Sequence, residues 1–301
     1  MRLGNGRWET SLYNTRGQVT QIGLGLGPNS QNLLKLELGY GNNTKNNGSL
    51  REQKITVPNV GTTNGFTATQ TYTYDDLNRL LSATETINSG QTWKQTFTMD
   101  RYGNRRYDAS NTTTLGSCTE AICNPTISTS TNRFTSSGWQ YDAAGNVTGD
   151  AEGKDFIYDA ENHQIEVQND QDTTIGEYRY DGDGKRVNKI AGTETTIFIY
   201  NGSGQLVSEY STQTSESPQT SYLTTDHLGS TRLVTDQLGA VKDRKDYGAF
   251  GDEIVTSARV SGIGYTSGDD EVRKGYTGYE KDGESGLEFA QRRSCPRSCG
   301  N

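Results

Sequence analysis

One short phrase recurs along this chain and constrains its fold more than any other feature. It runs aromatic, any residue, Tyr, Asp, a short segment containing Gly or Asn, then a polar residue and an aliphatic one. It stands at Tyr72-Thr73-Tyr74-Asp75-Asp76-Leu77-Asn78-Arg79-Leu80 and at Trp139-Gln140-Tyr141-Asp142-Ala143-Ala144-Gly145-Asn146-Val147. It returns at Phe156-Ile157-Tyr158-Asp159 through Ile165, and at Tyr178-Arg179-Tyr180-Asp181 through Val187. Degenerate copies begin at Phe97 and Phe198, and fainter ones near Tyr13 and Tyr40. From Tyr141 to Tyr158, Tyr180 and Tyr200 the steps are 17, 22 and 20 residues, the length of one β-hairpin.

The phrase has a direct physical reading. Side chains alternate along a strand, so aromatic-x-Tyr sets two rings on one face. Asp at the strand end bonds the backbone two residues on, and Gly or Asn supplies the positive φ that a tight turn needs. The closing aliphatic begins the returning strand. A single hairpin cannot bury its aromatic face, so neighbours must stack, each cross-strand pair contributing ~0.2–1 kcal/mol. Between the units, polar stretches at 42–48, 59–71, 111–138 and 211–220 read as loops or ragged strand extensions. No segment reads as an amphipathic helix, and Leu34-Lys35-Leu36-Glu37-Leu38 alternates as a strand does.

Composition agrees with a thin, wet β-structure. Only 30% of residues are apolar, Gly numbers 36, and Tyr (17) outnumbers Phe (7) and Trp (3) together. So few large aliphatics approach a disorder signature, but a net charge of −8 is mild for 301 residues. Tyr and Thr, both strand formers, make up the difference. No apolar run is long enough for a membrane-spanning helix. The start, Met1 to Gly6, lacks the apolar core of a signal peptide, so none is expected in this chain. A pI near 5.0 and scattered cations argue against nucleic acid as a partner.

The repeated phrases resemble the YD repeats of the Rhs family, the wall units of polymorphic toxins, insecticidal toxin complexes and teneurins. Tyr222-Leu223-Thr224-Thr225-Asp226-His227-Leu228-Gly229-Ser230-Thr231-Arg232-Leu233-Val234-Thr235-Asp236 is similar to the opening of the Rhs repeat-associated core. Asp246-Tyr247-Gly248-Ala249-Phe250-Gly251 stands where that core carries Tyr-x-Pro-Phe-Gly, with Ala249 in the proline position. Tyr276-Thr277-Gly278-Tyr279 and Ser285-Gly286-Leu287-Glu288-Phe289-Ala290 match the next two phrases. The resemblance implies an all-β chain: a curved, spiralling antiparallel sheet of stacked β-hairpins, forming part of a shell. It stops near Arg292, where the tail Ser294-Cys295-Pro296-Arg297-Ser298-Cys299 is foreign to the family, and a frameshift or premature end is the expectation there. The self-cleaving aspartates of toxin-releasing relatives lie beyond the matched region, so no catalytic residue is carried over.

Other candidate chemistry yields to simpler readings. Asp181-Gly182-Asp183-Gly184 invites calcium, but positions five and twelve of such a loop are Lys185 and Gly192, so a turn is expected. Asp226-His227 belongs to the core phrase with no Ser or Cys nucleophile in a recognisable motif, and His163 is the one other histidine. Four cysteines form the pairs Cys118/Cys123 and Cys295/Cys299 with no histidine to complete a zinc site. A local disulfide between Cys118 and Cys123 is expected, with a reduced, inert pair as the alternative. Gly23-x-Gly25-x-Gly27 precedes Pro28 and reads as a loop. No cofactor or metal is expected.

The organisation expected is degenerate β-repeats at 1–71, YD repeats at 72–210, the Rhs repeat-associated core at 211–290 and an aberrant tail at 291–301. The expected role is a non-catalytic β-shell segment of a secreted or cell-surface scaffold, not an enzyme. Its partners would be an upstream repeat region or a toxin cargo; a carbohydrate-binding or adhesion module is the alternative. Ten hairpins at ~4.8 Å per strand give a sheet about 100 Å wide, or a ring about 30 Å across when rolled once. That is too tight for a cargo of about 100 residues with a radius of gyration near ~13 Å, so the chain is not expected to enclose cargo alone. Open strand edges should make the isolated chain self-associate or precipitate. Light scattering checks this, and a monodisperse monomer would count against it.

Overall fold

The computed structural model describes residues 1–42, 44–113, 119–212, 220–266, 273–290 and 294–296. It is almost entirely antiparallel β-structure, and the sheets are not closed into barrels. The chain divides into two compact units, each assembled from two stretches: 1–117 with 219–278, and 118–218 with 279–301.

The first unit holds an eight-stranded meander: β1 Trp8–Tyr13, β2 Val19–Gly25, β3 Leu34–Gly39, β4 Glu52–Val57, β5 Phe66–Tyr74, β6 Leu80–Ile87, β7 Gly90–Met99 and β8 Arg105–Tyr107. Each strand pairs with its sequence neighbours, as a chain of hairpins must. One face is buried in strict alternation. Leu34, Leu36 and Leu38 of β3 face inward, followed by Gln53, Ile55 and Val57 of β4. The second stretch lies over this face. It carries the three-stranded sheet β17 Tyr222–Thr225, β18 Thr231–Thr235 and β19 Val241–Arg244, and an irregular segment that places Ile263 and Tyr265 among the β2–β5 aliphatics.

The second unit repeats the plan with β9 Gln140–Tyr141, β10 Val147–Gly149, β11 Asp155–Tyr158, β12 Gln164–Gln168, β13 Thr174–Tyr180, β14 Arg186–Ala191, β15 Glu194–Tyr200 and β16 Leu206–Ser211. A three-stranded sheet follows: β20 Glu280–Lys281, β21 Leu287–Phe289 and β22 Ser294–Pro296. Its apolar centre is Phe156, Val167, Tyr178 and Leu287. The first ring of aromatic-x-Tyr is the more buried of the two at Phe156, Tyr178 and Phe198, with Tyr158, Tyr180 and Tyr200 half-buried beside them.

The phrase itself resolves into one turn, copied eleven times. Its first residue is Asn14, Asp75, Asp100, Asp142, Asp150, Asp159, Asn169, Asp181, Asn201, Asp226 or Asp236. In every copy the backbone N–H of that residue donates to the carbonyl four residues on, and the N–H three residues on donates back to it. The Asx Oδ1 accepts from the N–H groups two and four residues on; at Asp75 these are Leu77 at 2.9 Å and Arg79 at 2.8 Å. The fourth residue always has positive φ, from 54° at Asp172 to 96° at Gly145. This is a type I turn closed by a left-handed residue, the form that a right-twisted hairpin accepts for a three-residue loop. A twelfth copy, Gly248–Asp252, keeps the two backbone bonds with Gly in the Asx place.

Two further side chains complete the unit. The residue after the left-handed position reaches back to the second Asx oxygen: Arg79 Nε at 2.7 Å, Asn104 Nδ2 at 2.7 Å and Asn146 Nδ2 at 2.8 Å from Oδ2 of Asp75, Asp100 and Asp142. The Tyr before the Asx crosses to a neighbouring strand. Tyr180 donates to the Gln164 carbonyl at 2.7 Å and Tyr200 to the Arg186 carbonyl at 2.9 Å. Both carbonyls sit just past the preceding turn, so each tyrosine ties its hairpin to the one before it. Tyr40 keeps this bond, to the Val19 carbonyl at 2.9 Å.

Two expectations need correction. Gly23 and Gly25 are not loop residues; they end strand β2. Among its described residues the stretch 111–138 holds a helical turn, Glu120–Cys123. The polar stretch 59–71 does contain a strand extension, since Phe66 to Thr71 runs into the phrase as part of β5. The Asp150, Asn169 and Asp236 turns escaped the sequence pattern because Gly149, Gln168 and Thr235 precede them instead of Tyr.

Gly184 and Gly182 in one turn make a controlled test. Gly184 has φ +74°, and an added Cβ would stand 2.8 Å from His163 Nε2, whereas nothing lies within 4 Å at Gly182. Gly184→Ala is expected to destabilise by about 1–3 kcal/mol and Gly182→Ala by well under that, measured by urea unfolding.

Candidate functional site: two buried charge networks

Each unit holds, at its centre, a chain of acids and bases sealed from solvent. In the first unit it grows out of the sheet. Gln53, Gln70 and Glu85 stand directly opposite one another on β4, β5 and β6, and all three are buried. Gln53 Nε2 donates to Gln70 Oε1 at 3.1 Å, and Gln70 Nε2 donates to Glu85 Oε2 at 3.0 Å. This polar row ends on the Glu85 carboxylate, which Arg259 meets with both terminal nitrogens at 2.9 and 2.7 Å. Arg259 Nε reaches Asp246 Oδ2 at 2.8 Å, and the Tyr265 hydroxyl donates to the same oxygen at 2.7 Å. Asp246 Oδ1 pairs with Arg232, whose Nη1 lies 3.4 Å from Asp226 Oδ2. The sequence of charges is therefore Glu85, Arg259, Asp246, Arg232, Asp226.

The electrostatics follow from that alternation. Burial alone would raise the Asp246 carboxyl, but Arg232 and Arg259 on either side carry it down to about 2. Burial opposes the charge of Arg232, yet Asp246 and Asp226 more than offset this and raise its pKa. Burial also pushes the Tyr72 and Tyr265 phenols up, so both remain neutral donors.

The second unit builds its network around Arg186, which is 1% exposed. Its guanidinium grips Asp282 at 2.6 and 3.0 Å and Glu280 at 2.9 Å. Phe289 lies 4.1 Å and Tyr178 5.1 Å from the guanidinium carbon, ring face toward the cation. Lys189, three residues on along β14 beyond the register shift at Arg186–Asn188, reaches Asp282 at 3.0 Å and Glu284 at 3.2 Å. The Tyr178 hydroxyl donates to the other Glu284 oxygen at 2.8 Å. Burial pushes the Glu280 carboxyl up, with Arg186 pulling the other way.

The residues singled out in the sequence fall into simpler places. Asp181 and Asp226 are turn-forming residues, and Asp183 is an exposed turn residue. His227 is half-buried, and desolvation lowers its pKa. His163 stacks on Tyr180 at 4.7 Å and sets Nδ1 3.2 Å from Asp159 Oδ2, in the place that Arg79 and Asn146 occupy in other turns. Cys123 ends the single helical turn, buried and disulfide-bonded. Cys118 and Cys299 lie outside the described residues, and of Cys295 only its place in β22 is described. Among the described residues no group of three or more His, Cys, Asp or Glu side chains could hold a metal ion. Among the described residues no helix is long and apolar enough to cross a membrane.

The networks themselves were not visible in the sequence. Asp246 and Asp282 stand inside or beside the quoted core phrases, but Glu85 and Arg259 are 174 positions apart. Nothing local marks either as buried. The Asp246 phrase does place one further residue: Phe250 meets Phe97 edge-on, ring centres 4.9 Å apart, with the Arg105 guanidinium 4.0 Å over the Phe250 ring.

Comparison with known proteins bears on the fold. No family model and no curated protein sequence matches the chain. Solved structures do. The Tc holotoxin pore of Photorhabdus luminescens, in a TccC3 variant, matches 98% of this chain with a TM-score of 0.69 at 18% identity. TcdB2–TccC3 without its hypervariable C-terminal region matches 99% with a TM-score of 0.70 at 19% identity. The TcdB2–TccC3–Cdc42 structure matches 97% with a TM-score of 0.59 at 19% identity. The chain covers only 16%, 17% and 18% of those three chains. The fold is therefore that of a segment within these Tc toxin proteins.

Removing one member of a buried pair leaves its partner charged and dry, at a cost of about 3–5 kcal/mol. Arg259→Leu is expected to destabilise by that order in chemical denaturation. Asp246 also sets an acid limit. Its pKa is depressed in the folded state, so its stabilisation is present at neutral pH and is lost as pH falls from its unfolded value toward about 2. Circular dichroism during acid titration should show this loss, and Asp246→Asn should flatten it. Glu280 has the opposite sign, favouring the folded state at low pH and less so as pH rises through its raised value.

Proposed function

We propose that this chain is a wall segment of a toxin-complex shell of the Rhs/YD kind, non-catalytic itself and acting outside the producing cell. One observation carries the reading: almost the whole chain aligns with a segment of far longer Tc toxin chains, at TM-scores near 0.7 in two of them. The chain behaves as one stretch of a wall whose remainder is supplied by other sequence. In this reading 72–210 is the YD-repeat stretch and 211–290 the repeat-associated core. The partners are an upstream repeat region and a toxin cargo.

The disposition of the aromatics favours a wall over a sugar-binding platform. Stacking on a sugar needs rings that face solvent, whereas Tyr178 and Phe198 are buried, and the Tyr180 and Tyr200 hydroxyls are committed to backbone carbonyls. The buried networks favour it too. Their carboxylates are paired with buried Arg or Lys side chains, Asp246 with two arginines, which suits them to holding strands in place.

Expression of the chain together with the reading frames that flank it, followed by cryo-electron microscopy, tests the proposal. The expected result is a hollow β-walled particle with this chain in its wall and a protease-protected cargo inside. A chain that stays separate from its neighbours' products and binds specific glycans on an array would overturn it in favour of an adhesion module.

A further inference from the structure

The geometry points to a self-modification site at Asn201-Gly202, in the turn between β15 and β16. There the backbone nitrogen of Gly202 attacks the Asn201 side-chain amide, ammonia is lost, and the residue becomes aspartate or its backbone-shifted isomer, isoaspartate. Three observations argue for it.

The attacking nitrogen is free here and engaged elsewhere. Attack needs a following residue without a side chain, and the chain holds four Asn-Gly pairs, beginning at Asn5, Asn47, Asn64 and Asn201. The Gly6 N–H donates to the Leu3 carbonyl at 3.0 Å. The Gly48 N–H donates to Asn46 Oδ1 at 3.0 Å, and the Gly65 N–H to Asn59 Oδ1 at 2.8 Å. A nitrogen held in this way has its peptide plane fixed and cannot turn toward the side chain behind it. The Gly202 N–H meets no acceptor among the described residues. Gly202 is also exposed, and nothing lies within 4 Å of the place a Cβ would take. Solvent reaches it.

The turn activates the amide under attack. Asn201 Oδ1 accepts from the Ser203 N–H at 3.0 Å and the Gln205 N–H at 2.9 Å. These donors polarise the side-chain carbonyl and stabilise the negative charge that Oδ1 takes on as the nitrogen adds. They also hold the carboxamide against the backbone, so it reacts without a search through rotamers. Asn14 and Asn169 stand in the same turn, but Thr15 and Asp170 follow them, and those side chains crowd the nitrogen.

The aspartate product fits the place it would occupy. Eight of the eleven Asx turns already carry Asp. Asn201 Nδ2 donates to Gln205 Oε1 at 3.0 Å. Once that nitrogen is an oxygen, the Gln205 amide turns over and donates instead, as Asn104 and Asn146 do to Asp100 and Asp142. The isoaspartate product puts an extra carbon in the backbone and disrupts both turn bonds, which loosens β16, the last strand of its sheet.

The step balances with water as the one co-reactant. The Gly202 nitrogen gives its proton to solvent, the N–Cγ bond forms, and the Cγ–Nδ2 bond breaks. Nδ2 leaves as ammonia, taking a proton from solvent, and a five-membered succinimide remains. Water then opens the ring: addition at Cγ gives aspartate, and addition at the backbone carbonyl carbon gives isoaspartate. Nothing is oxidised or reduced.

Peptide-mapping mass spectrometry of the full-length chain, incubated folded at mildly alkaline pH, tests the inference. The Asn201 peptide is expected to gain about one dalton at least tenfold faster than the Asn5, Asn47 and Asn64 peptides. In urea, where the turn and the three engaged amides are lost, the four rates should converge. Gly202→Ala fits the open space and should slow the reaction at least tenfold with an unchanged urea midpoint. Asn201→Asp should unfold at the same urea concentration as the unsubstituted chain. Equal rates at the four sites in the folded chain would overturn the assignment. So would an Asn201 lead that persists undiminished in urea, since local sequence and not the turn would then set it. Either result leaves the wall reading standing, because that reading is tested by assembly.

Discussion

A single side-chain oxygen accepting two backbone N–H groups underlies this structure. In each Asx turn, Oδ1 satisfies the donors two and four residues on, which a tight three-residue loop would otherwise leave to water. The left-handed fourth residue turns the chain with the hand that twisted strands require. Strand after strand is thereby returned in register, and most strands meet their successors at such a turn or at a tighter one such as Asn88-Ser89, with longer connections between β2 and β5. The tyrosine before the Asx adds the second dimension. At Tyr180 and Tyr200 the ring lies half-buried beside the buried face, and the hydroxyl reaches the backbone just past the previous turn. One dipeptide thus sets both the hairpin and its spacing from the last.

Sheets built this way bury one face and need something to cover it. In each unit the cover is a stretch from later in the chain, and its attachment is ionic at the centre. Arg259 meets Glu85 in the first unit, and Asp282 meets Arg186 in the second. Such pairs give little net stability over apolar packing, since desolvation offsets most of the attraction. They do exact a heavy cost for misplacement, because a cover laid down in the wrong register strands a charge in a dry site. For repetitive strands that could pair in several registers, that penalty selects one arrangement. The Gln53–Gln70–Glu85 row extends the same logic into the sheet, where each polar side chain bonds the residue directly opposite.

Much of the fold was legible in the repeated phrase. Aromatic-x-Tyr-Asp predicted hairpins, stacked aromatics on one face and turn-bound aspartates, and the structure holds all three. Three turns lacking the tyrosine were hidden because their remaining signal, an Asx with Gly or Asp three residues later, is too common in a chain with 36 glycines. The networks were hidden for a different reason. Arg186 follows the Asp181 turn just as Leu80 follows the Asp75 turn, and nothing at that position marks one as buried among carboxylates.

What the sequence determined by itself is local: where the chain turns, which residues share a face, and that strands follow one another as hairpins. Those properties depend on residues within about five positions of one another, through Asx bonding, left-handed φ and strand alternation. Tertiary structure alone decided which late segment covers which sheet, that Glu85 and Arg259 meet, and that Lys189 lies between two carboxyls with Tyr178 behind one of them. Charges attract and desolvate according to distance in space, and a one-dimensional pattern carries no measure of that distance for residues a hundred positions apart.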